Sequence, residues 1–125
     1  MKRFSGICII TQDVERLGNF YRELLQVKVE REGDNLTFFT EGALFSIFSD
    51  QGMELMAPGS MEGAGNGRFT MDFEVEDIDL EYKRLTAKGV PCVKLPISYP
   101  WGRRSTWFRD PDGNLVNLFS QVPPA

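Results

Sequence analysis

The chain has 125 residues, is 42% hydrophobic with ten phenylalanines, and carries a formal net charge of −4. That length suits one domain with a self-sufficient core. It holds no apolar run near the roughly 18 residues of a membrane span and no Lys/Arg block to meet nucleic-acid phosphates. After the basic start Met1-Lys2-Arg3-Phe4, the polar Thr11-Gln12-Asp13 cuts the apolar run short, so no signal-type stretch is read here. A cytoplasmic protein is expected, with neither membrane nor nucleic acid as partner. Cys8 and Cys92 each sit in an apolar, strand-like segment, which predicts buried, reduced thiols.

Residues 4–11, Phe4 to Thr11, are rich in isoleucine and predict a buried strand. Asp13 is a good N-cap with Glu15 in the first turn. Val14, Leu17, Phe20, Tyr21, Leu24 and Leu25 then recur at helical spacing, predicting a helix that ends near Gln26. Strands follow at 27–31, 35–40 and 44–49, with Gly33-Asp34 and Glu41-Gly42 as turns. Between residues 51 and 67, Gly52, Pro58, Gly59, Gly63, Gly65 and Gly67 break every periodicity. This stretch predicts a linker or a mobile flap; no Gly-Lys-Ser/Thr follows to make it a phosphate loop.

Residues 68–75 alternate: Phe69, Met71, Phe73 and Val75 on one face, Thr70, Asp72 and Glu74 on the other. Such a strand buries one face and turns the other to water or a cleft. Asp77 caps a second helix, with Ile78, Tyr82 and Leu85 inward and Gly89 at its C′ position. Strands are predicted at 90–95, 104–109 and 114–120, the last two joined by the turn Asp110-Pro111-Asp112-Gly113.

The two halves repeat. Asp13-Val14 and Asp77-Ile78 open equivalent helices 64 positions apart, and Leu44–Ser49 returns as Leu115–Ser120 with three of six residues identical at a spacing of 71. The order is βαβββ twice, an α+β domain. Its first module covers 1–50, the linker 51–67 and the second module 68–125.

Phe108-Arg109-Asp110-Pro111-Asp112-Gly113-Asn114-Leu115 resembles the turn into the last strand of the vicinal oxygen chelate superfamily. That superfamily includes glyoxalase I, extradiol dioxygenases and bleomycin-resistance proteins. Asp13-Val14 with Phe20-Tyr21 and Leu24-Leu25 is similar to its first helix. Val75-Glu76-Asp77-Ile78-Asp79 with Lys88-Gly89-Val90 is similar to its second. The resemblance spans the whole chain. It implies two tandem modules forming a cleft-bearing, partly open eight-stranded barrel, and a homodimer. One fold hosts many chemistries, so it leaves the chemistry open.

Enzymes of that superfamily hold a divalent metal with His, Gln or Glu from equivalent positions of the two modules. In this chain those positions read Gly6, Ser46, Thr70 and Asn117, and the sequence has no histidine. Two hydroxyls and an amide are neutral oxygens that do not offset the dehydration of a divalent ion. No metal and no other cofactor is therefore expected.

Strand parity then assigns an inner face. It holds Phe4, Cys8, Leu44, Ser46 and Phe48 in the first module. In the second it holds Thr70, Asp72, Glu74, Ser105, Trp107, Leu115, Asn117 and Phe119, with Phe108, Val116 and Leu118 in the core. In one reading of the stretch Tyr99-Pro100-Trp101-Gly102-Arg103-Arg104, its aromatics and arginines, beside the cleft, would stack on or pair with an anionic or planar ligand. In the alternative, Trp101 closes the core edge and Arg103 and Arg104 pair with surface acids. Asn117 is either a structural hydrogen-bonder or the orienting group of the cleft.

The expected function is metal-free binding of a small aromatic or cationic molecule in an aromatic-lined pocket. Its residues would be Phe4, Ser46, Phe48, Thr70, Asp72, Glu74, Trp101, Arg103, Ser105, Trp107, Asn117 and Phe119. The alternative is a divergent lyase or dioxygenase with non-standard site residues, for which Asp72 and Glu74 are the candidate carboxylates. A third reading is a partner-binding module whose cavity is filled by Phe4, Phe48, Trp107 and Phe119.

Overall fold

The structure is a computed structural model that describes residues 1–124. The elements are β1 (Gly6–Thr11), α1 (Val14–Leu25), β2 (Val29–Glu32), β3 (Asn35–Phe38), β4 (Leu44–Ser49), α2 (Asp50–Met56), β5 (Thr70–Glu74), α3 (Ile78–Ala87), β6 (Cys92–Ser98), β7 (Arg103–Arg109) and β8 (Leu115–Gln121). The chain divides into two compact units, Met1–Ala64 and Gly65–Ala125.

In the first unit the sheet order is β1-β4-β3-β2, with β1 parallel to β4 and the other pairs antiparallel. Asp13 starts α1 by accepting from Arg16 N at 3.0 Å, while its own N–H donates to Thr11 Oγ1 at 3.1 Å. Gln26 ends the helix in the left-handed region, its N–H donating to the Arg22 carbonyl. The stripe Val14, Leu17, Gly18, Tyr21 and Leu24 is buried. The Tyr21 ring meets Phe45 edge-on with centroids 4.8 Å apart, and Phe45 lies 5.2 Å from Phe38. Burying such rings stabilises the fold by a few kcal/mol each.

The second unit repeats this: order β5-β8-β7-β6, with β5 parallel to β8. Asp77 caps α3 through Leu80 N at 3.1 Å. At its far end Gly89 has φ +79, its N–H donates to the Thr86 carbonyl, and Val90 N–H donates to the Leu85 carbonyl. That pair of bonds is a Schellman stop, which requires the left-handed C′ that glycine adopts without strain. The turn before β8 is held by Asp110, whose Oδ1 accepts from Asp112 N and Asn114 N and whose Oδ2 accepts from Asn114 Nδ2, each at 2.9 Å. With Asp110 and Asn114 both buried, this motif builds structure. Phe108, Thr106, Val116 and Leu118 are buried on the face that α3 covers, with Ile78 and Leu85 of the helix.

Several expectations are corrected. The stretch at 51–67 is not wholly irregular: Ser49 Oγ accepts from Gly52 N at 2.9 Å and starts α2. The helix has no buried residue and so leaves no apolar periodicity to read. Cys8 and Cys92 are exposed, not buried. Cys8 pairs with Ser46 on the face away from α1, and Cys92 starts the edge strand β6, so apolar neighbours in sequence do not bury either one. β1 starts at Gly6, so parity does not extend to Phe4, which is 77% exposed. Phe69 likewise precedes β5 and is exposed.

Candidate functional site

The face of the second sheet opposite α3 gathers most of the candidate side chains. Register places Asp72, Asn117, Trp107 and Lys94 in one row across β5, β8, β7 and β6. The adjoining row is Glu74, Phe119, Ser105 and Ile97. Arg103 belongs to the same face, its guanidinium carbon 4.0 Å from the centroid of the Phe119 ring.

Lys94 reaches this row because β6 is irregular. Cys92 pairs with Phe108, and an unbroken antiparallel ladder would then set Lys94 opposite Thr106, on the helix face. The register shifts between Cys92 and Lys94, so Lys94 pairs with Trp107 instead. A bulge re-aims a side chain in this way, and β6, which contains Pro96, is an edge strand, where sheets tolerate proline. Lys94 Nζ donates to Tyr99 Oη and to Ser105 Oγ, both at 2.7 Å. It lies 4.5 Å from the centroids of both the Tyr99 and Trp107 rings. Tyr99 in turn stacks on Trp101 with centroids 4.5 Å apart.

At the other end of the row, Asn117 Nδ2 donates to Asp72 Oδ1 at 3.0 Å. Asn117 Oδ1 is buried with no hydrogen-bond partner. An orphaned buried acceptor costs about 1–3 kcal/mol and calls for a reason.

The remaining candidates fall as follows. Thr70 is exposed and lies opposite Leu115, a step of two residues from Asn117, whose parallel partner is Asp72. Glu74 is exposed and Ser105 buried. Ser46 is half-buried between Cys8 and Thr37 on the first sheet, and the Phe48 ring packs against Gly52 of α2. Trp101 is 70% exposed, so it does not close a core edge. Arg104 follows the surface alternative: Nε and Nη2 grip the Asp79 carboxylate at 3.1 and 2.8 Å. That hydrogen-bonded fork holds the Asp79 carboxyl below the usual carboxylate range. Lys94 was invisible to parity counting, because the bulge that turns it onto this face has no local sequence mark.

The four equivalent positions offer a divalent metal few donors. Gly6 offers no ligand atom, and a Cβ built on it would lie 2.4 Å from the Leu44 carbonyl oxygen. Ser46 and Thr70 are neutral alcohols, and Asn117 would offer only the neutral oxygen of its amide. Among the described residues no three His, Cys, Asp or Glu side chains are placed to hold a metal ion. These residues do not fit a divalent ion. A shallow depression of about 750 Å³ lies in the first unit, lined by Gln12, Asp50, Gln51, Glu54, Met61 and Glu62. It shares no residue with the candidate set.

Among the described residues no helix is long and apolar enough to cross a membrane. Comparison with known proteins agrees with the fold. A Bacillus subtilis (strain 168) relative, the uncharacterized protein YraH, is 29% identical over 123 residues, covering 93% of this chain and 96% of the relative. A glyoxalase/bleomycin resistance protein/dioxygenase family enzyme from Burkholderia phytofirmans PsJN superposes with a TM-score of 0.82 at 18% identity, over 94% of this chain and 98% of that one. A lactoylglutathione lyase from Agrobacterium tumefaciens gives 0.74 at 19% identity, over 96% and 94%. At such identities the superpositions speak to the fold alone. The family model of the glyoxalase/bleomycin resistance protein/dioxygenase superfamily matches residues 3–118, and the chain belongs to that superfamily.

Proposed function

We propose that the protein binds a small molecule on the face of its second sheet opposite α3, without a metal. The observation that carries this reading is the row Asp72–Asn117–Trp107–Lys94. It offers ring surface, an ammonium and an unsatisfied acceptor side by side, the makeup of a recognition site. Binding needs only such groups. The superfamily's metal-dependent chemistry would need ligands that Gly6, Ser46, Thr70 and Asn117 do not supply.

The experiment is metal analysis of protein purified without chelator, with thermal unfolding before and after EDTA. A metal-free protein whose midpoint ignores EDTA supports the reading. A stoichiometric transition metal whose removal lowers the midpoint overturns it. The homodimer implied by the resemblance is tested by sedimentation of the same sample.

A second reading, an enzyme with non-standard residues, is favoured by one contact. Ser105 Oγ and Lys94 Nζ are 2.7 Å apart, the pairing of a nucleophile with a base. Labelling of Ser105 by a fluorophosphonate would support it; Ser105 is buried, and absence of labelling is the outcome expected here.

A further inference from the structure

We propose that this face binds an oxyanion, a carboxylate or phosphoryl group of a small molecule, at the β6–β7 hairpin, with the Arg103 guanidinium as its anchor. The inference rests on the binding role above and names its ligand class.

The hairpin fixes Arg103 through its backbone. The Arg103 carbonyl accepts from Tyr99 N at 2.7 Å, Gly102 N donates to the Tyr99 carbonyl at 3.1 Å, and Val122 N donates to the Gly102 carbonyl at 2.9 Å. The turn closes through Gly102, whose φ of +92 suits glycine. The Arg103 side chain lies over the Phe119 ring, its guanidinium carbon 4.0 Å from the centroid. Phe119 is 9% exposed beneath it, while Arg103 itself is exposed. At that distance the guanidinium rests on the ring by its flat face, since an N–H aimed at the ring would hold the carbon farther away. Its donors lie in its own plane, and that edge suits a forked bond to two oxygens of one group. Among the described residues no ion pair and no side-chain hydrogen bond uses those donors.

A second cation adds to the pull. The Lys94 ammonium is bonded to Ser105 Oγ at 2.7 Å, and Ser105 is the cross-strand partner of the Phe119 that carries the guanidinium. Two cations thus flank one cross-strand pair, and neither has a carboxylate partner among the described residues. This runs against the composition, for the chain has 18 acids to 14 bases. Other cations do find acids. Arg104, next in sequence, grips Asp79, Arg31 meets Glu15, and Arg84 meets Glu81. The rings fix Arg103 and Lys94 in position without cancelling their charge. The carboxylates of this face, Asp72 and Glu74, stand on β5, with β8 between them and β7, and Asp72 is bonded to Asn117. Like charges gathered without a counter-ion create a local field that draws an anion.

The test is titration calorimetry with benzoate, phenyl phosphate, the neutral benzamide and the cationic benzylamine. At least one of the two acids is expected to bind about tenfold or more tighter than benzamide, as a charge-assisted bond warrants, and benzylamine is expected to bind weakest. Which acid leads tells a carboxylate site from a phosphoryl one. Arg103→Gln removes the charge and the fork and brings both acids down to the level of benzamide. Arg103→Lys keeps the charge without the fork and falls between, and full affinity in that variant overturns the forked bond. If benzamide or benzylamine binds as tightly as the acids, or Arg103→Gln leaves their affinity unchanged, the oxyanion assignment fails while the binding role stands. If none of the four binds, the assignment also fails, and the EDTA experiment decides the binding role separately. Should Arg103→Gln not fold, the wild-type protein still answers. Added sodium chloride must weaken the acids and spare benzamide, and an equal response overturns the proposal.

Discussion

Gly6 occupies the first of the superfamily's metal positions, and the local geometry explains why a ligand cannot simply be put back. A Cβ at residue 6 would sit 2.4 Å from the Leu44 carbonyl oxygen, where ordinary contact begins at 3.4 Å, and 3.1 Å from Leu44 Cβ. The obstacle is backbone, so β1 and β4 must part by the difference between the first two figures. The Leu44 N–H bond to the Ser5 carbonyl, 2.9 Å, is the adjacent link and would weaken or break. Overpacking of this kind costs about 1–3 kcal/mol, and the lost bond about 0.5–1.5 kcal/mol. Reduced freedom of the unfolded chain returns about 0.4–1 kcal/mol. Gly6→Ala is therefore expected to lose about 0.5–4 kcal/mol in urea unfolding, with an unchanged m-value. Gly6→His carries at least the same penalty and gains no zinc by calorimetry, because its partners stay neutral. A Gly6→Ala protein as stable as the parent would refute the close approach of the strands. A Gly6→His protein that binds one zinc tightly would refute the argument from donor chemistry.

The remaining predictions are simpler. Gly89→Ala forces a methyl into the left-handed C′ of α3 and should cost about 1–2 kcal/mol, read by thermal or urea unfolding. Asp79→Asn tests the fork from Arg104. The folded carboxyl titrates below its unfolded value, so its contribution is full above the ordinary carboxylate range and disappears as pH falls through the folded pKa. The stability gap between parent and variant should accordingly be largest near neutrality and close on acidification, and a gap that widens in acid would sink the assignment. Both cysteines are exposed, so a thiol reagent should modify Cys8 and Cys92 in the native protein; protection of either until unfolding would contradict the structure.

The parts of the fold that were legible are those governed by local chemistry with a fixed period. Asp13 and Asp77 bond the start of their helices, and the stripe from Val14 to Leu24 is buried. Alternation separated Val116 and Leu118 from Asn117 in β8. What escaped was set by context. α2 buries nothing, so its residues show no apolar period, and its Ser49 cap reads equally well as a strand end. Cys8 lies on the sheet face opposite α1 and Cys92 on the edge strand β6, placements that no window of sequence contains. Lys94 is the most consequential miss. Its orientation depends on a slip in register, and parity reasoning assumes there is none.

The repeat also explains why the chemistry is one-sided. The row in the first sheet equivalent to Asp72–Asn117–Trp107–Lys94 is Cys8–Ser46–Thr37–Glu30. That row has no ring and no cation, and its Glu30 carboxylate pairs with Lys28 at 3.2 Å. Phe48 and Phe119 are equivalent by the 71-residue spacing, yet they are used differently. The Phe48 ring is packed against Gly52, where any Cβ would strike it at 2.2 Å, so α2 claims that part of the first face. The Phe119 ring carries a guanidinium and leaves the Asp72-to-Lys94 row beside it unobstructed by a helix of its own module. Two copies of one scaffold have thus diverged in what they place on equivalent positions. The first spends its aromatic ring on packing, and the second keeps a ring, a charge and an unsatisfied acceptor in register, which is the combination a ligand can read.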